Sequence, residues 1–153
     1  MRGGLWIAVG LVVIVSAVVV QTAGPTTTLT GPGIVRITSV QSRFTVIDLG
    51  RRGASPGDME ITRVRLFNRR IRKRPIGNGQ LVCTRTGSNF RNCNGTYVLP
   101  AGKLVVSGAL TFRDFYVLAV TGGTGKYNNV RGVLIVTKLH PAENLMVFRL
   151  VIA

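Results

Sequence analysis

Val120-Thr121-Gly122-Gly123-Thr124-Gly125-Lys126-Tyr127 is the stretch of sequence that decides the fold. It separates two apolar segments, 115–120 and 132–138, that are rich in the β-branched and aromatic residues typical of strands. Glycine tolerates positive φ values and lets another backbone approach closely, so glycines at this density indicate a forced backbone path. The stretch therefore predicts a strand, a tight glycine corner and a second strand.

The pair Gly125-Lys126 resembles the end of a phosphate-binding loop, but the spacing does not fit. That motif requires glycine where Val120 stands and Ser or Thr where Tyr127 stands. No helix-forming pattern follows, so the helix N-terminus that would hold a phosphate is missing from the pattern. The glycines are therefore expected to shape the backbone.

The chain begins with the pattern of a secretory signal. Arg2 precedes the uninterrupted apolar run 5–20, and the small residue Ala23 follows it. The run is shorter than the roughly 20 residues that cross a bilayer comfortably, which favours cleavage near Ala23. Cleavage after Ala17 and an uncleaved anchor at residues 5–20 are the alternatives. Either way, the protein is expected to be secreted or extracytoplasmic.

The length and composition indicate one domain after this signal. The 153 residues, of which 46% are hydrophobic, suffice for one module with its own core. We assign residues 1–23 to the signal helix, 24–33 to a flexible linker rich in Thr, Gly and Pro, and 34–153 to the folded domain.

Outside the cytoplasm, the two cysteines of the chain have a simple interpretation. Cys83 and Cys93 are ten residues apart and predict a disulfide that closes a short loop. A metal site is the weaker alternative, because a single histidine beside this pair gives no recognisable ligand set. No metal and no cofactor are therefore expected. Asn94-Gly95-Thr96 matches both a glycosylation sequon and a turn signal.

The domain has the pattern of an all-β protein. In the segment Ile61-Thr62-Arg63-Val64-Arg65-Leu66, a period of two separates a polar face from an apolar face. No convincing amphipathic helix pattern follows the signal, and short strands at close spacing predict an antiparallel sandwich or barrel. The predicted strands are 34–40, 43–49, 59–67, 80–85, 96–99, 104–112, 115–120, 133–138 and 145–152.

The order of motifs along the domain resembles the allene oxide cyclase and dirigent superfamily. These motifs are Ser55-Pro56, Gly57-Asp58, Gly79 to Cys83, Gly102 with Val106-Ser107-Gly108, and the corner from Ala119 to Tyr127 followed by Gly132. The resemblance implies an eight-stranded antiparallel β-barrel with an apolar pocket at one mouth, in a dimer or trimer. It also implies stereochemical guidance of an apolar, oxygenated small molecule during ring closure or coupling. A small barrel suits this work because it encloses one ligand and excludes water.

The same resemblance places the family's pocket residues on this chain. The plant cyclase's glutamate falls at Val46, its two asparagines at Asp48 and Val64, and its proline and cysteine are kept as Pro56 and Cys83. Loss of the glutamate argues against allene oxide cyclase activity itself. Retention of the cysteine carries little weight, because Cys83 is also predicted to be in a disulfide. Val46, Pro56 and Val64 are therefore candidate ligand contacts.

Four further assignments complete the candidate site. Asp48 follows an apolar strand segment, and a carboxylate at a barrel mouth would stabilise positive charge or move a proton. Asp58 has the same candidate role, and for both residues the alternative is an ordinary turn aspartate. Arg131 lies near the place where dirigent proteins carry a basic residue, and a solvated surface residue is the alternative. Tyr127, the aromatic residue of the corner, is a candidate ligand contact.

A large excess of positive charge is the other unusual feature. The formal charge is +15, and the basic residues Arg63, Arg65, Arg69, Arg70, Arg72, Lys73 and Arg74 fall within twelve residues. Such a face attracts anionic lipid or cell-wall polymer, and the alternative is a solvated face that keeps the protein soluble. Nucleic acid is not expected, because only Phe67 interleaves the basic run and no recognition motif appears. The function classes are thus guided cyclisation or coupling, non-catalytic binding inside the barrel, and an envelope-associated binding module.

Overall fold

A computed structural model describes residues 33–70, 73–111 and 114–152. Eight strands form one closed antiparallel barrel in which β8 pairs with β1, as predicted. The strands are β1 Gly33–Ile47, β2 Met59–Asn68, β3 Pro75–Arg85, β4 Phe90–Leu99, β5 Gly102–Thr111, β6 Phe115–Gly123, β7 Val130–His140 and β8 Glu143–Ile152. The predicted signal helix, and all of the predicted linker except Gly33, lie outside the described residues. Within the described ranges, no helix is long and apolar enough to span a bilayer.

The first two predicted strands, 34–40 and 43–49, form a single strand. β1 shifts register between Gln41 and Arg43 through a β-bulge, so both halves stay paired with β2. β1 pairs with β8 only as far as Val40, and beyond the bulge it pairs with β2 alone. The free end of the β1–β2 ribbon therefore extends past Glu143, where β8 begins.

The glycine corner joins β6 to β7, as predicted. A single 3-10 turn, Gly125–Tyr127, follows β6, and N–H groups of the corner bond to the β4–β5 turn and to the start of β5. Lys126 N–H donates to Ala101 O and Thr124 N–H donates to Lys103 O, both at 2.9 Å. Gly125 has a φ of +63°, and a Cβ on Gly123 would lie 2.5 Å from Tyr127 O. Close backbone packing against a neighbouring turn is the reason for these glycines.

The strand connections alternate between the two ends of the barrel, because each strand runs antiparallel to the next. The mouth end carries the connections β1–β2, β3–β4, β5–β6 and β7–β8. The corner end carries the connections β2–β3, β4–β5 and β6–β7 together with the start of β1. Apolar side chains fill the corner half, among them Leu66, Leu99, Leu104, Val130, Phe148 and Leu150. The core thus closes one end and leaves room at the other.

The predicted disulfide is present. Cys83 on β3 and Cys93 on β4 are directly opposite in register, and their sulfurs are 2.04 Å apart. Both residues are buried on the inner face of the barrel. The segment Asn94-Gly95-Thr96 lies within β4, so its interpretation as a turn is wrong. Antiparallel pairing across both of its neighbours overrides the local turn signal.

Candidate functional site

A cavity of about 300 Å³ opens at the mouth end. Its inner wall is apolar, with Leu81, Leu110 and Tyr116, and its sides carry polar groups, including Glu60 and Asn144. The remaining lining residues are Gln41, Thr62, Cys83, Asp114, Lys138 and Pro141. A second space of about 30 Å³ is lined partly by the same residues, and Tyr97 and Met146 contribute to its walls. The cavity therefore combines apolar surface with a few fixed polar groups, which is typical of small-molecule sites.

Glu60 provides the buried carboxylate of this cavity. The residue is only 6% exposed, on the inner face of β2. Its Oε1 accepts hydrogen bonds from Arg91 Nε at 2.8 Å and Arg85 Nη2 at 3.1 Å. Both arginines lie on the inner face, directly opposite one another on β3 and β4. Charge-assisted bonds of this kind are short and strong, so the carboxylate has a fixed position in the wall.

Glu60 was not among the residues predicted from the sequence, although the signal was available. Thr62, Val64 and Leu66 form the apolar side of the alternation in β2, and Arg63 and Arg65 form the polar side. The same period of two, continued toward the N-terminus of the strand, places residue 60 on the inner face. An acidic residue on that face therefore indicates a buried, partnered carboxylate.

Two tyrosines lie in the walls of these spaces: Tyr116 lines both, and Tyr97 lines the inner one. Burial raises the pKa of Tyr116 to about 12. Burial also raises the pKa of Tyr97, and the neighbouring Tyr116 phenol raises it further. Tyr97 packs edge-on against Phe148, with ring centroids 5.7 Å apart. Tyr116 therefore stays neutral at physiological pH, and its hydroxyl is a hydrogen-bond donor in the cavity wall.

Alkaline pH is expected to destabilise the barrel through Tyr116. An unfolded tyrosine ionises near its ordinary pKa of 10.0, whereas folded Tyr116 stays protonated up to about 12. Its contribution is fully present below pH 10 and is lost as pH rises to 12, by about 1.4 kcal/mol per pH unit. Urea unfolding across this range should therefore show a shallower decline in Tyr116→Phe than in the wild type. Equal slopes for the two proteins would contradict the raised pKa.

The rim of the cavity carries an exposed ion pair. Lys138 Nζ lies 3.2 Å from Asp114 Oδ1, and the Asp114 side chain is 84% exposed. The backbone reinforces the contact, because Lys138 N–H donates to Asp114 O at 2.8 Å. The pair joins β7 to the residue that precedes β6. An exposed pair contributes little stability, so its position beside the entrance is the more relevant property.

Two of the predicted ligand contacts lie on the inner faces of β1 and β2. Val64 lines the inner space together with Thr62 and Tyr116. Val46 pairs directly with Glu60 in the β1–β2 register, so the two side chains are on the same face. Val46 and Phe44 are both exposed, on the ribbon that extends past β8. Apolar surface thus continues from the cavity onto the overhanging ribbon.

Asp48, Pro56 and Asp58 lie in the β1–β2 connection and do not line the cavity. Asp58 is buried, and its carboxylate accepts the N–H groups of Ser55 and Leu49. The Ser55 N–H is the largest cause of its lowered pKa, followed by the Leu49 N–H, against the opposing effect of burial. Asp48 is exposed and accepts the Gly53 N–H at 3.0 Å. The two carboxylates therefore fold the loop beside the mouth.

Tyr127 and Arg131 lie at the corner end, away from the cavity. Tyr127 is buried under the glycine corner, and burial raises its pKa. Arg131 is exposed, and its Nη1 donates to the carbonyl oxygens of Thr121 and Val130. Neither residue is among those that line the cavity.

The titratable groups of the described ranges include no set of three or more His, Cys, Asp or Glu that could hold a metal ion. Cys83 lines the cavity through a disulfide and carries no free thiol. The polar groups that line the cavity are thus the Glu60 carboxylate, the Tyr116 phenol, the Thr62 hydroxyl, the amides of Gln41 and Asn144, and the Asp114–Lys138 ion pair at the rim.

Comparison with known structures identifies the architecture. The barrel is similar to a pyocyanin demethylase, with a TM-score of 0.68 and 23% identity over 78% of this chain and 100% of that chain. A pterocarpan synthase dirigent protein matches this barrel with a TM-score of 0.64 and 12% identity, over 85% of this chain and 96% of that one. The chain has the dirigent-like barrel fold. A Diels-Alderase from Streptomyces koyangensis matches with a TM-score of 0.59 and 12% identity, over 78% and 69%. No protein-family model matches the chain, and no curated protein matches it.

Proposed function

We propose that this barrel binds an apolar, oxygenated small molecule at its mouth and holds it in one reactive conformation. Ring closure or coupling of the bound molecule then gives one stereoisomer. The observation that carries the proposal is the mouth cavity, which joins an apolar inner wall to a buried carboxylate fixed by two arginines. Its volume of about 300 Å³ lies at the lower end of the range for small-molecule sites.

The lining residues divide the work of binding. Leu81 and Leu110 bury the apolar body of the molecule, and the neutral Tyr116 hydroxyl donates to one of its oxygens. The Glu60 carboxylate fixes negative charge at one wall, where it orients a polar group or stabilises positive charge that develops during ring closure. Selection of one near-attack conformer and exclusion of water favour one product without requiring a strong base.

Structures with related chemistry support the proposal. The matches include a pterocarpan synthase dirigent protein, a Diels-Alderase and a cyclase described as catalysing a cycloaddition. Authentic allene oxide cyclase activity is not proposed, because Val46 occupies the place of the cyclase's pocket glutamate. The nearest carboxylate in register is Glu60, across the strand pair. The catalytic geometry would therefore be a different one.

Native mass spectrometry of the protein purified from its host tests the proposal. We expect a co-purified apolar molecule on the wild type and none on Thr62→Trp, because Thr62 lines both parts of the cavity. Thr96→Trp, on the exposed outer face of β4, is the matched control and should keep the molecule. An empty wild type, or a Thr62→Trp protein that is folded and loaded, would contradict ligand binding in the cavity.

Once this molecule is identified, a second experiment decides whether the protein guides its formation or only carries it. Incubation with the protein should convert its unstable precursor into one stereoisomer, measured by chiral chromatography. If the product had the same stereochemical composition with and without the protein, the protein would bind the molecule but would not guide its reaction.

We also propose that the barrel is a homo-oligomer, a dimer or trimer. Val117 and Val133 are exposed on the outer faces of β6 and β7, close to Ala119 in register. A glutamate at both positions is expected to lower the mass measured by light scattering to that of one chain, because charge in a buried apolar contact is costly. A wild-type mass of one chain would exclude this proposal.

We also propose that the protein is secreted. The Cys83–Cys93 disulfide supports this, because disulfides persist in oxidising compartments.

A further inference from the structure

The acidic residues of the barrel are confined to one of its two ends. The chain contains five acidic residues, and all of them lie at the mouth end. Two are in the β1–β2 connection, two are at the starts of β2 and β8, and one precedes β6; they are Asp48, Asp58, Glu60, Glu143 and Asp114. The net charge does not show this distribution, because the distribution depends on which strand connections lie at the same end of the barrel.

The corner end carries only positive charge among its described charged side chains. Its exposed basic residues are Arg36, Arg69, Arg70, Lys73, Arg74, Lys103, Lys126, Arg131 and Arg149. The ion pairs of the described residues involve Arg85, Arg91 and Lys138, which are all at the mouth end. Arg72, part of the same predicted basic run, lies outside the described ranges. The positive potential at the corner end is therefore not offset by nearby carboxylates.

We propose that the corner end docks on an anionic phospholipid bilayer, with the cavity mouth facing away from the lipid. Exposed apolar side chains among the cations favour a bilayer over a soluble polyanion. Ile34 is 55% exposed and lies opposite Arg149 in register, and Val151 is 51% exposed and lies opposite Arg131. A lipid interface accepts both kinds of group, apolar side chains at the acyl boundary and cations at the headgroups.

The position of the N-terminal segment also supports docking through the corner end. β1 begins at Gly33 at the corner end, so the sequence before it, which includes the apolar run 5–20, joins the barrel at this end. A retained anchor would therefore hold the basic end toward the membrane. A cleaved signal would leave the charge and the two exposed apolar residues to bind the surface. In both cases the mouth stays open to the aqueous phase, which lets a ligand enter and leave. Docking does not depend on the proposed function.

Hydrogen exchange of the full chain on vesicles tests the orientation. Vesicles of phosphatidylcholine with 30% phosphatidylglycerol are compared with phosphatidylcholine alone. We expect the anionic lipid to protect the turns 69–74, 100–101 and 124–129 at the corner end. The mouth-end connections 48–58 and 86–89 should exchange as in solution. Protection at the mouth-end connections, or no difference between the two lipids, would overturn the proposal.

Charge-matched variants test the surface itself. Arg69→Gln, Arg70→Gln and Arg74→Gln together remove three cations from the corner end, and Arg43→Gln, Arg51→Gln and Arg52→Gln remove three from β1 and the β1–β2 connection. The ratio of partitioning into anionic and zwitterionic vesicles cancels the effect of the apolar run. That ratio should fall on the order of a hundredfold for the first triple variant and much less for the second.

Raised salt should weaken binding of the wild type, because the attraction is screened. Equal losses in both triple variants would overturn the assignment to the corner end. Dextran sulfate, a soluble polyanion, gives the remaining outcome. If the full chain bound dextran sulfate but showed no preference for anionic vesicles, the partner of the corner end would be a soluble polymer and the bilayer proposal would be wrong.

Discussion

Gly132→Ala and Gly102→Ala are expected to destabilise the barrel more than a Gly→Ala change at any other glycine that the structure describes. Gly132 lies in β7 with a φ of +146°, which L side chains rarely adopt. A Cβ at this position would lie 1.9 Å from Arg149 O and 3.1 Å from Leu150 Cα. Both atoms are backbone of the paired strand β8, so relief requires the sheet to shift. Strain and overpacking together cost on the order of 3 to 5 kcal/mol.

Chemical unfolding of Gly132→Ala against the wild type measures this loss. Gly50→Ala is the control, because Gly50 also has a positive φ, +91°, but a Cβ added there would have no atom within 4 Å. It should lose only about 1 to 2 kcal/mol, the cost of the backbone conformation alone. If the two variants were equally stable, the close approach of β7 and β8 at Gly132 would not be the reason for this glycine.

Glu60→Ala is expected to have the largest effect of any change in the cavity wall. The substitution leaves the Arg85 and Arg91 guanidinium groups, both largely buried, without the carboxylate that they share. Removing one partner of a buried ion pair costs about 3 to 5 kcal/mol. We expect the lower end of this range, because Asp58 Oδ2, 4.0 Å from Arg85 Nε, offsets part of the charge that remains. The small molecule that we propose to bind in the cavity should also be lost in native mass spectra, since Glu60 forms part of the wall that would orient it.

Asp114→Ala is the matched control for this prediction. Its carboxylate also pairs with a cation, but it is 84% exposed, and an exposed pair contributes about 0 to 1 kcal/mol. Acetate should restore part of the stability of Glu60→Ala, because the cavity is open to solvent and the anion can reach the two arginines. Equal losses for the two variants, with no response to acetate, would show that the ion pairs of Glu60 with Arg85 and Arg91 contribute little to stability.

Much of the architecture followed from local patterns. Alternation in residues 61–66 assigned the inner and outer faces of β2, and the glycine corner correctly marked the connection between β6 and β7. The disulfide followed from the compartment and from the single cysteine pair. These features depend on side-chain period, backbone sterics and redox chemistry, which act over a few residues.

The candidate site was less accessible to the same reasoning. Asp48 and Asp58 follow apolar strands or turns as catalytic carboxylates would, yet their oxygens accept backbone N–H groups of their own loop. Tyr127 and Arg131 belong to a diagnostic motif, but antiparallel alternation carries that motif to the end opposite the cavity. A motif that identifies a fold need not lie near the site that the fold provides.

The sequence alone thus determined most of the strand pattern, the glycine corner and the disulfide, because each depends on local conformation or on composition. Local patterns left a sandwich and a barrel open, and the resemblance of the motif order to a known superfamily selected the barrel. Tertiary structure decided which end of the barrel is open, where the five acids gather and which carboxylate enters the cavity. Glu60 meets Arg85 and Arg91 only because β2, β3 and β4 pair in one particular register. Register and closure depend on the whole sheet at once, so no single stretch of residues contains them.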